Sequence, residues 1–132
     1  MSLGFVKAWY ERIPPVERDL PVLYHKGKMY SPNDILREVQ MGTPLGHELQ
    51  LKLERLHSTS SFGLDDMKEL DYIAKKRAEE IIKNLPPNYM VAVAVNGKQV
   101  VLTKEELLKS PLFQQAVEEE KKKVIKILGG AP

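Results

Sequence analysis

The sequence has no cysteine among its 132 residues. Disulfide frameworks, thiolate zinc sites, iron–sulfur clusters and cysteine nucleophiles are therefore excluded. Long hydrophobic runs are also missing, since the longest one covers only residues 90–95. A membrane-spanning helix needs about 20 apolar residues. No leader-like segment is visible at the start, so we expect a soluble cytoplasmic protein.

The chain also lacks a large excess of positive or of negative residues. The chain carries 20 basic and 18 acidic residues, for a formal net charge of +2. The balance is even along the chain, because residues 1–64 and residues 65–132 each carry a single net positive charge. Nucleic-acid-binding proteins usually show a basic excess or a basic stripe. The charge pattern therefore gives little support to that class.

What is present is typical of one folded domain over residues 1–132, with 42% hydrophobic and 29% charged residues. Apolar residues at helical spacing predict most of the helices, as with Phe5, Trp9 and Ile13 before Pro14. We predict a helix-rich α+β fold with two β-hairpins packed against helices, and the hairpins could join into one antiparallel sheet. Abundant Lys and Glu, paired prolines and absent cysteine would suit a thermophile's protein.

Start and stop signals divide the chain clearly. Hydroxyl caps followed by proline at Ser31, Thr43 and Ser110 predict three helix starts, and Gly42 predicts the end of the first of these helices. A capping box begins at Thr103. Asp65 or Asp66 is predicted to cap a helix over residues 65–85. The hairpins are predicted at residues 22–30 and at residues 89–102, the second around the turn dipeptide Asn96-Gly97.

Two stretches share one order of elements. Residues 22–57 and residues 90–128 both read as a hairpin with Gly-Lys, a short helix, a hydroxyl-proline start and a longer helix. This order suggests a duplicated β-β-α-α unit joined by the helix at residues 65–85. The alternative is that caps and Gly-Lys turns arise independently, because local backbone physics selects the same residue types.

No catalytic constellation is visible. His25, His47 and His57 lack metal-ligand spacing, and the hydroxyl-rich residues 58–61 lack a nucleophile elbow. The Gly-Lys pairs have no phosphate-loop frame. We therefore predict no catalytic, cofactor-binding or metal-binding residue and do not expect an enzyme.

One segment interleaves aromatic and basic residues. On a hairpin over residues 22–30, Tyr24 and Tyr30 could stack on bases while Lys26 and Lys28 bind phosphates. The opposing interpretation is that both tyrosines pack against the protein and the lysines only solvate the turn.

The last predicted helix contains six consecutive charged residues, 118–123. They interrupt its apolar face, which resumes as the terminal patch, defined as Val124, Ile125, Ile127 and Leu128. An exposed apolar patch needs a cover. We predict that a second copy of the chain covers it in a dimer, and the alternative is that it folds back onto residues 5–13.

These observations favour a small non-enzymatic interaction or assembly protein that self-associates through its C-terminal helix. The alternative function is a nucleic-acid-binding module that uses the hairpin from Tyr24 to Tyr30.

Overall fold

The computed structural model describes residues 2–59 and 62–129. The fold is α+β, and 66% of the described residues are helical. The helices of the described residues are α1 (Ser2–Glu11), α2 (Pro32–Met41), α3 (Pro44–Thr59), α4 (Leu64–Lys83), α5 (Lys104–Leu108) and α6 (Pro111–Gly129), with a 3-10 turn at Pro15–Glu17. None of the described helices is long and apolar enough to cross a membrane.

Two antiparallel hairpins complete the fold. The first hairpin pairs β1 (Leu23–His25) with β2 (Lys28–Tyr30), and the second pairs β3 (Met90–Val95) with β4 (Lys98–Thr103). Both turn through two residues with positive φ, Lys26-Gly27 at 50° and 81° and Asn96-Gly97 at 51° and 79°. These angles are those of the type I′ turn. The hairpins remain separate two-stranded sheets, so the expectation of one joined sheet is wrong for the described residues.

Most helix ends follow the predicted signals. The side chain of Ser31 accepts a hydrogen bond from Asp34 N at 3.1 Å, and that of Thr103 accepts one from Glu106 N at 3.2 Å. The cap of α4 differs from the prediction, because Gly63 occupies the cap position. Its N–H donates to Asp66 Oδ2 at 2.9 Å, so the carboxylate reaches back from the third helical position.

The main core collects the apolar faces of α1, α3 and α4 with the end of α6. Its largest fully buried side chains include Leu23, Ile35, Leu49, Leu53, Leu70, Ile73 and Leu128. Trp9 links α1 to α6, since its Nε1 donates to the carbonyl of Ile127 at 2.8 Å.

This packing corrects the interpretation of the terminal patch. Val124 and Leu128 are 0% and 1% exposed, and Ile125 and Ile127 pack partly buried against the same core. The chain covers the patch itself, with Trp9 and Ile13 of residues 5–13 in the same cluster. Because these side chains are covered from within, the patch no longer supplies a reason to expect a second copy there.

The charged run of α6 was also misinterpreted. Val117, Glu120, Val124 and Leu128 are all buried, so one face of α6 continues unbroken through the run. Glu120 can occupy that face because Arg77 of α4 lies opposite it, with Nε 3.0 Å from Glu120 Oε1. A charge in a core is tolerated when a partner satisfies it.

The element order hairpin, shorter helix, longer helix occurs twice, in β1 to α3 and in β3 to α6. The two hairpins differ in their surroundings. The first packs against α4 and α2, whereas the second contacts mainly α5. The duplication and the single-domain boundaries stay predictions.

Candidate interaction surface

The second hairpin is poorly covered by the rest of the described chain. No described side chain between Met90 and Thr103 is buried. Residues directly opposite each other share a face of a hairpin, and Ala92 pairs with Val101. On that face Met90 and Val101 are 62% and 57% exposed, and Ala92 and Ala94 are exposed as well. The hairpin therefore presents an apolar face to solvent.

Both long edges of the second hairpin are unpaired. No other strand in the described ranges hydrogen-bonds to β3 or to β4. Val95 and Lys98 flank the two-residue turn, so they form the hydrogen-bonded pair that closes it. Because paired positions alternate along an antiparallel ladder, the backbone groups of Met90, Ala92 and Ala94 point away from β4. They form a free edge.

The base of the hairpin is held firmly. Lys104 follows β4 directly, and its Nζ donates to the carbonyls of Lys83 at 2.8 Å and Leu85 at 2.7 Å. A lysine ammonium satisfies carbonyls left open at a helix C-terminus, here that of α4. The capping box from Thr103 to Glu106 fixes the direction in which α5 leaves the strand. The hairpin therefore projects from a rigid base.

The first hairpin offers less for recognition. Tyr24 and Tyr30 are partly buried against the core, and the ring of Tyr24 stacks on Tyr72 with 5.9 Å between centroids. The ammonium of Lys26 lies 3.1 Å from the carboxylate of Glu48. Lys28 is exposed. Both lysines are therefore exposed, but Lys26 is paired with Glu48, and the two rings between them are partly covered by the core.

Glu48 also binds a histidine. His25 Nε2 lies 2.7 Å from Glu48 Oε1. The hydrogen bond from His25, followed by the contact with Lys26, lowers the pKa of the Glu48 carboxyl. The carboxylate therefore offsets the positive charge of Lys26 beside the turn.

The other histidines and the described part of the hydroxyl-rich stretch do not form a common site. His47 is exposed, and the ring of His57 packs edge-on against Phe5 with 5.2 Å between centroids. Residues 2–59 and 62–129 contain no cluster of three metal-ligating side chains. Ser60 and Ser61 of the hydroxyl-rich stretch lie outside the described residues.

Two structural features were not predicted from the sequence. The second hairpin was predicted as a strand pair, but its lack of cover depends on where the helices pack, which no local pattern reports. The buried Arg77 leaves a weak signal, because it lies in phase with the buried Ile73 and Ala74 on α4. A matching glutamate in phase with Val117 and Val124 on α6 completes that signal.

Comparisons with known proteins add no functional information: no match was found to a protein-family model, to a curated protein or to a solved structure.

Proposed function

We propose that the protein is an assembly protein, without an enzymatic role, that pairs with a second copy of itself along the free edge of β3. The observation that carries this proposal is the second hairpin, which has an apolar exposed face and no buried side chain among those that the structure describes. An isolated two-stranded hairpin is marginally stable in water. Pairing of two hairpins would build a four-stranded sheet and satisfy the unpaired backbone groups along the β3 edge.

The choice of β3 rather than β4 rests on charge. Natural edge strands are usually protected by charged residues, proline or bulges. β4 begins with Lys98, whereas β3 has no charged residue and no proline in its six residues. Two copies of β3 can therefore pair antiparallel without bringing like charges opposite each other. This favours a second copy of the chain as the partner that pairs with the β3 edge.

The free edge also defines a register. The outward-pointing positions are Met90, Ala92 and Ala94, and a two-fold axis pairs each of them only when it passes through Ala92. Ala92 then lies opposite Ala92 of the second copy, and Met90 lies opposite Ala94. The alanines are small, so the apposed strands meet no bulky side chain at the axis.

The test compares two proline variants by sedimentation over a wide range of concentration. Ala94→Pro removes an outward N–H from the β3 edge, and Gln99→Pro does the same on the β4 edge directly opposite. Neither N–H belongs to the ladder within the hairpin. Any strain inside the hairpin is therefore similar in the two variants.

We expect a dimeric parent, a dimer dissociation constant raised about tenfold or more in Ala94→Pro, and a nearly unchanged constant in Gln99→Pro. Circular dichroism checks that both variants are folded. A monomeric parent contradicts the proposal and leaves the edge to a strand of another protein. Equal weakening by both variants also contradicts it, because it would not distinguish the β3 edge.

A further inference from the structure

A cleft of about 460 Å³ opens between the end of α1, the 3-10 turn and the C-terminal half of α6. It shares no lining residue with the second hairpin. Its apolar wall includes Trp9, Ile13 and Ile127. Small-molecule sites are commonly clefts of about 300–1,000 Å³ with apolar walls and a few polar groups. The cleft therefore has the size and the wall of a ligand site.

The aromatic part of the cleft wall is held in place by burial and by a hydrogen bond. Trp9 is 3% exposed, and its indole N–H is already satisfied by the carbonyl of Ile127. Val16, which is 79% exposed, extends the apolar surface at the mouth of the cleft. An apolar group that enters would cover both the wall and this side chain.

Cations dominate the rim. Arg12, Lys123 and Lys126 all line the cleft, and all three are exposed. Within the described residues, neither Arg12 nor Lys126 lies within ion-pair distance of a carboxylate. The ammonium of Lys123 lies 3.1 Å from Glu120 Oε2. Two positive charges at this opening therefore have no internal counterpart.

The carboxylates nearby are occupied. Glu17 also lines the cleft, but its carboxylate contacts the buried guanidinium of Arg77. Glu120 binds the same guanidinium. Glu120 also pairs with Lys123, so Arg12 and Lys126 are the rim cations without a carboxylate partner, and their charge favours an anion.

A histidine adds an unsatisfied polar atom. His57 lines the cleft, and its buried Nδ1 has no hydrogen-bond partner in the part of the chain that the structure describes. Buried polar atoms without partners are uncommon in folded proteins.

We propose that this cleft binds a small organic anion in which one carboxylate, sulfonate or phosphate group is joined to an apolar body. The apolar body lies against Trp9 and Ile127, and the anionic group binds Arg12 and Lys126 at the rim. Exposed ion pairs contribute little by themselves. Both halves of the ligand are therefore needed, since the apolar contact brings the anion into a partly dehydrated position.

The test uses the only tryptophan of the chain as its reporter. Octanoate, octanol and octylamine share one apolar body and differ in charge, so each is titrated against Trp9 fluorescence. We expect a saturable change with octanoate, about tenfold weaker binding of octanol, and no saturable change with octylamine. Equal affinities for octanoate and octanol overturn the proposal, as does the absence of a saturable signal with octanoate.

Matched variants locate the anion. Arg12→Gln with Lys126→Gln removes both rim cations, and both side chains are exposed, so the fold should tolerate the change. Lys68→Gln with Lys109→Gln removes the same charge at exposed positions outside the cleft. We expect the rim variant to weaken octanoate binding about tenfold and the control to leave it nearly unchanged. Equal weakening in both variants overturns the assignment of the rim.

Discussion

The guanidinium Nε of Arg77 lies 3.0 Å from Oε1 of Glu120, and the two side chains are 0% and 7% exposed. The same guanidinium donates through Nη1 to the carbonyl of Pro21 at 3.1 Å and contacts the carboxylate of Glu17 through Nη2. One side chain therefore ties α4 to α6, to the 3-10 turn and to the segment that enters β1. Three partners satisfy a cation that would otherwise be costly to bury.

Replacing Arg77 should be among the most damaging single substitutions. Arg77→Met keeps most of the side-chain volume but leaves two carboxylates without their cation. Breaking a buried ion pair by removing one partner costs about 3–5 kcal/mol. We expect a loss of that size in the free energy of unfolding, measured with denaturant.

A double-mutant cycle separates pairing from packing. Arg77→Met with Glu120→Met should cost less than the sum of the two single substitutions, because the double variant leaves one buried carboxylate fewer unpaired. Additive costs would mean that Arg77 and Glu120 do not interact in solution.

The terminal patch provides a second prediction. Val124→Glu with Leu128→Glu places two unpaired carboxylates in the main core, so we expect the chain to lose its cooperative unfolding transition. Lys122→Glu on the exposed side of the same helix should change stability by less than about 0.5 kcal/mol. A folded monomer of the double variant would instead place the patch at a subunit interface.

Gly46 marks a close approach of two helices. A Cβ at this buried position in α3 would lie 2.3 Å from the carbonyl oxygen of Glu38 in α2. Gly46→Ala should therefore lower the free energy of unfolding by about 2 kcal/mol or more. Gly4→Ala in α1 meets no atom within 4 Å and should raise it by about 0.5 kcal/mol, the usual gain in helix propensity. Similar effects from both would contradict the close packing of α2 and α3.

The Asp66 carboxylate makes the stability of the fold depend on pH. Its hydrogen bonds from Arg55, at 3.0 and 3.2 Å, are the main cause that holds its pKa below the usual value, with a further contribution from Gly63 N–H. Because the pKa of Asp66 is lower in the folded chain than in the unfolded chain, its charged carboxylate stabilises the fold above the unfolded pKa of about 3.9. This stabilisation is lost as the pH falls through the folded pKa.

Asp66→Asn should therefore cost about 1 kcal/mol near neutral pH, and the difference from the parent should shrink below about pH 4. Denaturant unfolding at several pH values measures both. Asp65→Asn, an exposed change in the same helical turn, should cost less. A difference between parent and Asp66→Asn that stays constant into acid would contradict the role of the Asp66 carboxylate.

Local signals predicted the elements well for a physical reason. The caps at Ser31 and Thr103 and the turns at Gly27 and Gly97 depend on residues within three positions of each other. The interactions that form these caps and turns are therefore local and can be recognised in the sequence.

Long-range packing could not be predicted in the same way. Arg77 and Glu120 are 43 positions apart, and each alone resembles an ordinary charge on a solvated helix face. The run of six charges in α6 concealed that Glu120 lies in phase with Val117 and Val124. Likewise, the second hairpin was predicted to pack against helices on one face. Only the arrangement of the helices leaves that hairpin uncovered.

Self-pairing of β3 can be tested directly, because the native sequence has no cysteine. In Ala92→Cys, two-fold pairing through residue 92 places the two cysteines directly opposite each other, with Cα atoms about 5.5 Å apart, within disulfide range. In Val101→Cys, on the same face of β4, they are separated by three strand spacings, about 14 Å, and cannot bond.

The decisive measurement is the yield of covalent dimer after mild oxidation of the two folded single-cysteine variants, read on a non-reducing gel. We expect nearly complete dimer for Ala92→Cys and little for Val101→Cys. Little dimer from Ala92→Cys, or equal yields from both variants, would contradict self-pairing of β3.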